Sequence, residues 1–147
     1  MKFKDVKQDV HLYRVVPAAD LSRYDLVHKQ VAEVCENSVM LVGGEGLSAS
    51  ELKWWWTQKH MALSKAMGMQ KYQISYLGRA VSSALEDNTT PLGERQTEAG
   101  RLETERNARI RLKNMMKRHR RELAQGFQRK SRREGWVRRA KGEAEWR

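Results

Sequence analysis

The chain has 147 residues, room for one domain with an appendage, and a formal net charge of +11 at pH 7. Its single cysteine, Cys35, excludes an intramolecular disulfide, and no apolar run approaches the ~20 residues that a membrane span needs. The opening MKFKDVKQDV lacks the apolar core of a signal peptide, so the expectation is a cytoplasmic chain with no membrane partner.

Residues 10–16, VHLYRVV, are rich in β-branched and aromatic side chains and predict a short strand ahead of Pro17. Asp20 then reads as the N-cap of a helix over 21–37. Leu21, Tyr24, Val27, Val31 and Val34 recur at three- and four-residue steps, which gives that helix one apolar face. A second apolar run, VMLV over 39–42, is expected to pair with the first as a small β-ribbon. The cluster Gly43-Gly44-Glu45-Gly46 after it lacks the Gly-Lys-Ser/Thr ending and the spacing of phosphate-cradling loops, and reads as a turn.

Ser48-Ala49-Ser50-Glu51 has the pattern of a capping box and predicts a helix from about 49 to Met67. Trp54, Trp55 and Trp56 fall inside that span. At 100° per residue they fan over about 200°, more than one buried stripe covers. At least one tryptophan is therefore expected at an interface, with nucleobase stacking as an alternative.

The stretch LSKAMGMQKYQISYLGR, Leu63–Arg79, predicts two helices that meet at Gly68. Leu63 and Met67 lie one turn apart on the inner face of the first helix. Gly68 supplies the conformational freedom of a sharp exit, and Met69 plugs the corner. Ile74 and Leu77 form the inner face of a second helix over about 71–86, and small Ser64 allows a close crossing. Two core helices that meet at a glycine by chance give the same spacing.

This stretch resembles the helix-turn-helix of lambdoid phage regulators, the CII activators and Cro-type repressors, over about 20 residues. Gln73-Ile74-Ser75 looks like the start of their recognition helix, and Ser64 stands where the family usually has Ala. The resemblance implies a phage or prophage regulator that binds double-stranded DNA. The groove-facing residues would be Gln70, Lys71, Tyr72, Gln73, Ser75, Tyr76 and Arg79. Gln is suited to adenine, and Arg or Lys to guanine, while Tyr76 suits a thymine methyl or a phosphate.

Asp87-Asn88-Thr89-Thr90-Pro91 ends the second helix and sets a domain boundary, with 1–90 the helix-turn-helix domain and 91–147 a basic, largely helical extension. Residues 1–90 hold 11 Lys/Arg and 10 Asp/Glu, whereas residues 91–147 hold 18 and 8. Nearly all the excess charge is therefore in the extension, the electrostatic footprint of a polyanion binder. A helix is expected over 94–125, with acidic residues first and basic ones after, and with a thin apolar stripe of Leu112, Met116, His119, Leu123 and Phe127. Its phosphate contacts are assigned to Arg106, Arg109, Arg111, Lys113, Lys117, Arg118, Arg120 and Arg121. A second cluster of Arg129, Lys130, Arg132, Arg133, Arg138, Arg139 and Lys141 follows. The alternative is a solvated charged helix.

No catalytic machinery and no cofactor are expected. His11, His28, His60 and His119 are scattered, and a lone Cys35 builds no zinc site. The whole reads as a mainly α protein. Its small helical domain carries the helix-turn-helix and a short β-ribbon, and a long basic helix follows. Three functions fit: a sequence-specific transcription regulator, a late-gene antitermination factor acting on RNA polymerase, or a non-catalytic nucleic-acid-binding structural or assembly protein (ribosome-associated, packaging or virion). RNA is an alternative target of the basic segment, and homo-oligomers could form through Trp54–Trp56 or the long helix.

Overall fold

A computed structural model describes residues 6–145, with side chains up to Gly126. It is an α+β fold, not a mainly α one. The order is β1 (His11–Pro17), β2 (Tyr24–Val34), β3 (Ser38–Leu41), β4 (Gly46–Ser48), α1 (Ala49–Leu52), α2 (Lys59–Glu86) and α3 (Leu92–Glu145). The strands form one antiparallel sheet in the order β1-β2-β3-β4.

The helix expected over 21–37 is β2. Asp20 does accept from the Ser22 amide (3.1 Å) and hydroxyl (2.7 Å), but the turn it closes sends the chain back antiparallel to β1. The helical spacing misleads because both faces of β2 are apolar. Tyr24 and Leu26 pack toward the helices, while Val27 and Val31 pack on the opposite side. A strand with two covered faces loses its period of two and can imitate a spacing of three and four. The expected ribbon is also corrected. β1 and β3 do not pair with each other; each pairs with β2, β1 along its first part and β3 along its end, past an irregularity between Val31 and Glu33. Gly43 and Gly44, with φ of 105° and 94°, close the β3–β4 turn.

The helix expected from 49 to Met67 stops at Leu52. Ser48 is its N-cap, with its Oγ accepting from the Glu51 amide at 3.3 Å. The three tryptophans break the helix. Trp55 belongs to a core inside the curl of the sheet with Leu12, Val31, Val39 and Leu52. Trp56 packs instead against a second core, between sheet and helices, built on Val15, Leu63, Met67, Leu112 and Met116. Extended chain puts successive side chains on opposite sides, and a helix does not. The Trp56 backbone is extended accordingly and pairs with the free edge of β1: its N–H donates to the Tyr13 carbonyl at 2.9 Å, and its carbonyl accepts from the Tyr13 N–H at 2.6 Å. Trp54 is 40% exposed, with the Lys53 ammonium 5.1 Å from its ring.

No turn occurs at Gly68. α2 runs unbroken from Lys59 to Glu86, so the helix-turn-helix is replaced by one long helix. A mid-helix glycine costs only about 1 kcal/mol, less than the packing of α2 against sheet and α3 returns. The Leu63, Met67 and Leu77 side chains are buried as expected, but Met69, assigned to plug the corner, is 50% exposed. The chain turns at 87–91 instead, where Asp87 accepts from the Thr89 amide and from the Thr89 and Thr90 hydroxyls. α3 then returns along α2 and places Leu112 and Met116, both fully buried, in the core beneath it. Among the described residues, no helix is long and apolar enough to cross a membrane.

Candidate nucleic-acid interface

Where α2 begins, α3 passes beside it, and the two enclose an open groove of about 1040 Å³. Lys59, Lys117, Arg120 and Arg121 bring its charge, Tyr13 and His60 line it too, and among the described residues no carboxylate does. On α3 the 100° helical step places Lys113, Lys117, Arg120 and Arg121 on one flank, next to the buried stripe of Leu112, Met116 and Leu123. Burial of that stripe therefore aims the cations at the start of α2. Arg120 is held in place by an Nη1 donation to the Ser64 hydroxyl at 3.0 Å.

The start of α2 adds to this field. Its N-cap, Gln58, makes no side-chain capping bond, and its first turn contains no acidic residue. Helix N-termini normally attract carboxylates, because the first backbone N–H groups lack helical partners and carry partial positive charge. Here the sequence puts Lys59 there instead. A cation at the positive end of a 28-residue helix raises the cost of the unliganded state, and that cost falls when an anion enters.

The assigned tail residues fall into two groups. Arg106 and Arg109 serve the α2–α3 hairpin. Arg106 pairs with Glu103 at 3.6 Å and lies over Gly78, while Arg109 pairs with Glu105 at 3.2 Å and donates to Gln70 at 3.0 Å. From Arg111 onward the balance changes. Among the described residues, Arg111, Lys113, Lys117, Arg118, Arg120 and Arg121 have no carboxylate within 4.0 Å. Lys117, Arg120 and Arg121 line the groove; Arg111 and Arg118 lie on other sides of α3. The side chains of Arg129, Lys130, Arg132, Arg133, Arg138, Arg139 and Lys141 lie outside the described residues.

The residues assigned to read bases stand elsewhere. Lys71, Tyr72, Gln73, Ser75, Tyr76 and Arg79 lie about two to four turns farther along α2. Lys71, Tyr72, Ser75, Tyr76 and Arg79 are exposed and Gln73 is half-buried. Gln70 is only 5% exposed and is taken up by Arg109.

Sequence reading missed Lys59 and Tyr13, whereas His60 reads from the sequence as a surface or phosphate-side residue at the start of a helix. A helix drawn from residue 49 makes Lys59 an ordinary mid-helix position, and its meaning comes from the helix starting there. On the other side of the buried α3 stripe, the Tyr24 hydroxyl lies 2.8 Å from His119 Nδ1 and ties β2 to α3. Burial raises the Tyr24 pKa above its ordinary value, with the Glu122 charge adding to the shift. Among the described residues no three His, Cys, Asp or Glu side chains gather as metal ligands. Comparison with protein families, curated proteins and solved structures finds no match for this chain.

Proposed function

We propose that this protein is a non-catalytic nucleic-acid-binding protein that takes phosphates into the groove between the start of α2 and the basic flank of α3. One observation carries the reading: Lys59, Lys117, Arg120 and Arg121 converge on a groove that no carboxylate lines among the described residues. Charge spread along α3 alone would suit a solvated helix. Charge converging from two elements onto one open trough suits a polyanion, because each phosphate neutralised releases condensed counterions. The groove is open to solvent and its charged groups are cationic, with neutral Thr57, Gln58 and Ser64 beside them, which suits a phosphate chain better than an enclosed small molecule. Phosphate contacts position a nucleic acid without reading its sequence. A structural or assembly role fits that pattern better than a regulator, since the α2 residues once assigned to base edges stand on an unbroken helix away from the groove.

Salt dependence of binding tests this. The full chain is expected to bind nucleic acid with affinity that falls steeply with salt, at a log–log slope of about 0.7–0.9 per phosphate contacted. Lys117→Ala and Arg121→Ala should each lower that slope by roughly one contact. Arg109→Ala, whose guanidinium is spent on Gln70 and Glu105 inside the hairpin, should leave it unchanged. Equal slopes for the groove variants and the parent would overturn the proposal.

A further inference from the structure

His11, His28 and Tyr13 set three nearly parallel rings on one face of the β1–β2 pair, and Tyr13 also lines the groove. The His11 and His28 ring centroids are 4.8 Å apart, those of His28 and Tyr13 are 5.0 Å apart, and each pair is inclined by only 17°. His11 Nδ1 and His28 Nε2 share a hydrogen bond at 2.6 Å, so these two imidazoles lie edge to edge in nearly one plane, and the parallel rings of His28 and Tyr13 are the pair that overlaps. The strands dictate this arrangement. Tyr13 and His28 are directly opposed in the β1–β2 register, and the Tyr13 backbone bonds to Trp56, not to His28. Opposed residues that exchange no backbone bonds bring their side chains closest. His11, Tyr13 and Val15 share one face of β1, and His28 and Leu26 share the same face of β2. Val15, Tyr13 and Leu26 pack toward the helices. Two residues beyond Tyr13, His11 is out in solvent, as is His28.

These rings join the groove through Tyr13, which lines it and has the Lys59 ammonium 5.8 Å from its ring centre. We infer that the ligand is a single-stranded nucleic acid, with an unpaired base laid on the exposed imidazole face of His11 while neighbouring phosphates lie along Lys59 and the α3 cations. This rests on the groove binding phosphates, and it deepens that reading from polyanion to unpaired strand. A duplex offers the same phosphates but keeps its base faces inside, so an exposed ring face gains nothing from it. Base-on-ring stacking tolerates any sequence, because every base has a flat π-face, and aromatic platforms beside cationic grooves hold single strands in this way.

The test is fluorescence anisotropy of the full chain with four end-labelled probes of about 12 residues, at roughly 0.15 M salt. The probes are oligo-dT, oligo-U, an abasic strand with the same phosphates, and a duplex. Oligo-dT or oligo-U should bind about tenfold tighter than the abasic strand, and the duplex should have no such advantage. The contrast between oligo-dT and oligo-U separates DNA from RNA as the source of the strand. His11→Ala should erase the advantage and leave abasic binding unchanged. His11→Phe, which keeps a ring and loses the imidazole hydrogen bond, should retain it. Abasic and base-bearing strands bound equally by the parent chain would overturn the stacking site while leaving the groove intact. A stronger preference for duplex would do the same. Failure of all four probes to bind would overturn the groove itself.

Discussion

Arg109 donates from Nη1 to the Oε1 of Gln70 at 3.0 Å, across the two long helices, and Gln70 is 95% removed from solvent. The same guanidinium takes the Glu105 carboxylate through Nε (3.3 Å) and Nη2 (3.2 Å). Gln70 is thus part of what joins α2 to α3. Hydrogen bonds to charged groups contribute about 1.5–3 kcal/mol, and removing one partner leaves the other unsatisfied. Gln70→Ala should lower stability by about 2 kcal/mol in denaturant unfolding. Its affinity for nucleic acid, measured where the variant is fully folded, should stay at the parent value. A selective loss of binding with unchanged stability would restore Gln70 to the role of a base reader.

Gly68 separates the two accounts of α2 more sharply. In a helix-turn-helix a glycine at the corner frees the backbone, and a side chain there strains the turn. In the observed structure Gly68 is inside a continuous helix, and a Cβ placed on it meets nothing within 4 Å. Alanine then removes unfolded-state freedom and adds helix propensity without a clash. Gly68→Ala should stabilise the protein by about 0.5–1 kcal/mol. Destabilisation in thermal or urea unfolding would argue for a turn at this position.

The parts of this fold that sequence reading captured are those decided locally. The strand around 11–17, the cap at Ser48, the turn at 87–91 and the helix after it all rest on signals within a few residues. The errors occur where tertiary context outweighs local pattern. Tyr24, Val27, Val31 and Val34 fit a helical stripe because both faces of β2 are covered, a fact set by α2 and α3 on one side and the curl of the sheet on the other. Gly68 reads as a turn only if its conformational freedom is used, and packing on both sides keeps the helix straight through it. The candidate site was half legible. The cationic run on α3 is plain in the sequence, whereas its convergence on Lys59 depends on where α2 starts. That start is set by the opposed burial of Trp55 and Trp56.

Two turns give the protein a sensitivity to acid. The Thr89 hydroxyl, then the Thr89 amide and Thr90 hydroxyl, hold the Asp87 carboxyl below its ordinary value. The Ser22 hydroxyl and amide do the same for Asp20. Both folded-state pKa values are depressed, so the native state binds these protons less readily than the unfolded chain. The stability they contribute is fully present above the unfolded carboxylate value of about 3.9 and is lost as pH falls through the lower folded values. The double variant Asp20→Asn, Asp87→Asn should therefore show a flatter decline of melting temperature below about pH 4 than the parent. Parallel acid limbs would show that neither turn contributes.

Lys59 is where binding and stability should pull in opposite directions. It occupies the first turn of α2, at the end where the helix dipole favours negative charge. The dipole interaction of an exposed terminal charge is about 0.3–1 kcal/mol, and Lys59→Glu reverses its sign, so the swing is about 0.6–2 kcal/mol in favour of the fold. Against this stands the ammonium over the Tyr13 ring, 5.8 Å from its centre, which at an exposed site contributes about 0.5–1 kcal/mol. At that distance the contribution belongs at the low end, so the reversal wins. Lys59→Glu should leave the protein equally stable or more stable by up to about 1.5 kcal/mol, while nucleic-acid affinity falls and its salt slope shrinks by more than one contact. The shrinkage exceeds one because the substitution both removes a cation and sets a carboxylate among Lys117, Arg120 and Arg121. Paired unfolding and titration curves read both effects from one variant. Loss of stability together with loss of binding would mean that Lys59 serves the fold, and that the uncapped start of α2 is not held open for an anion.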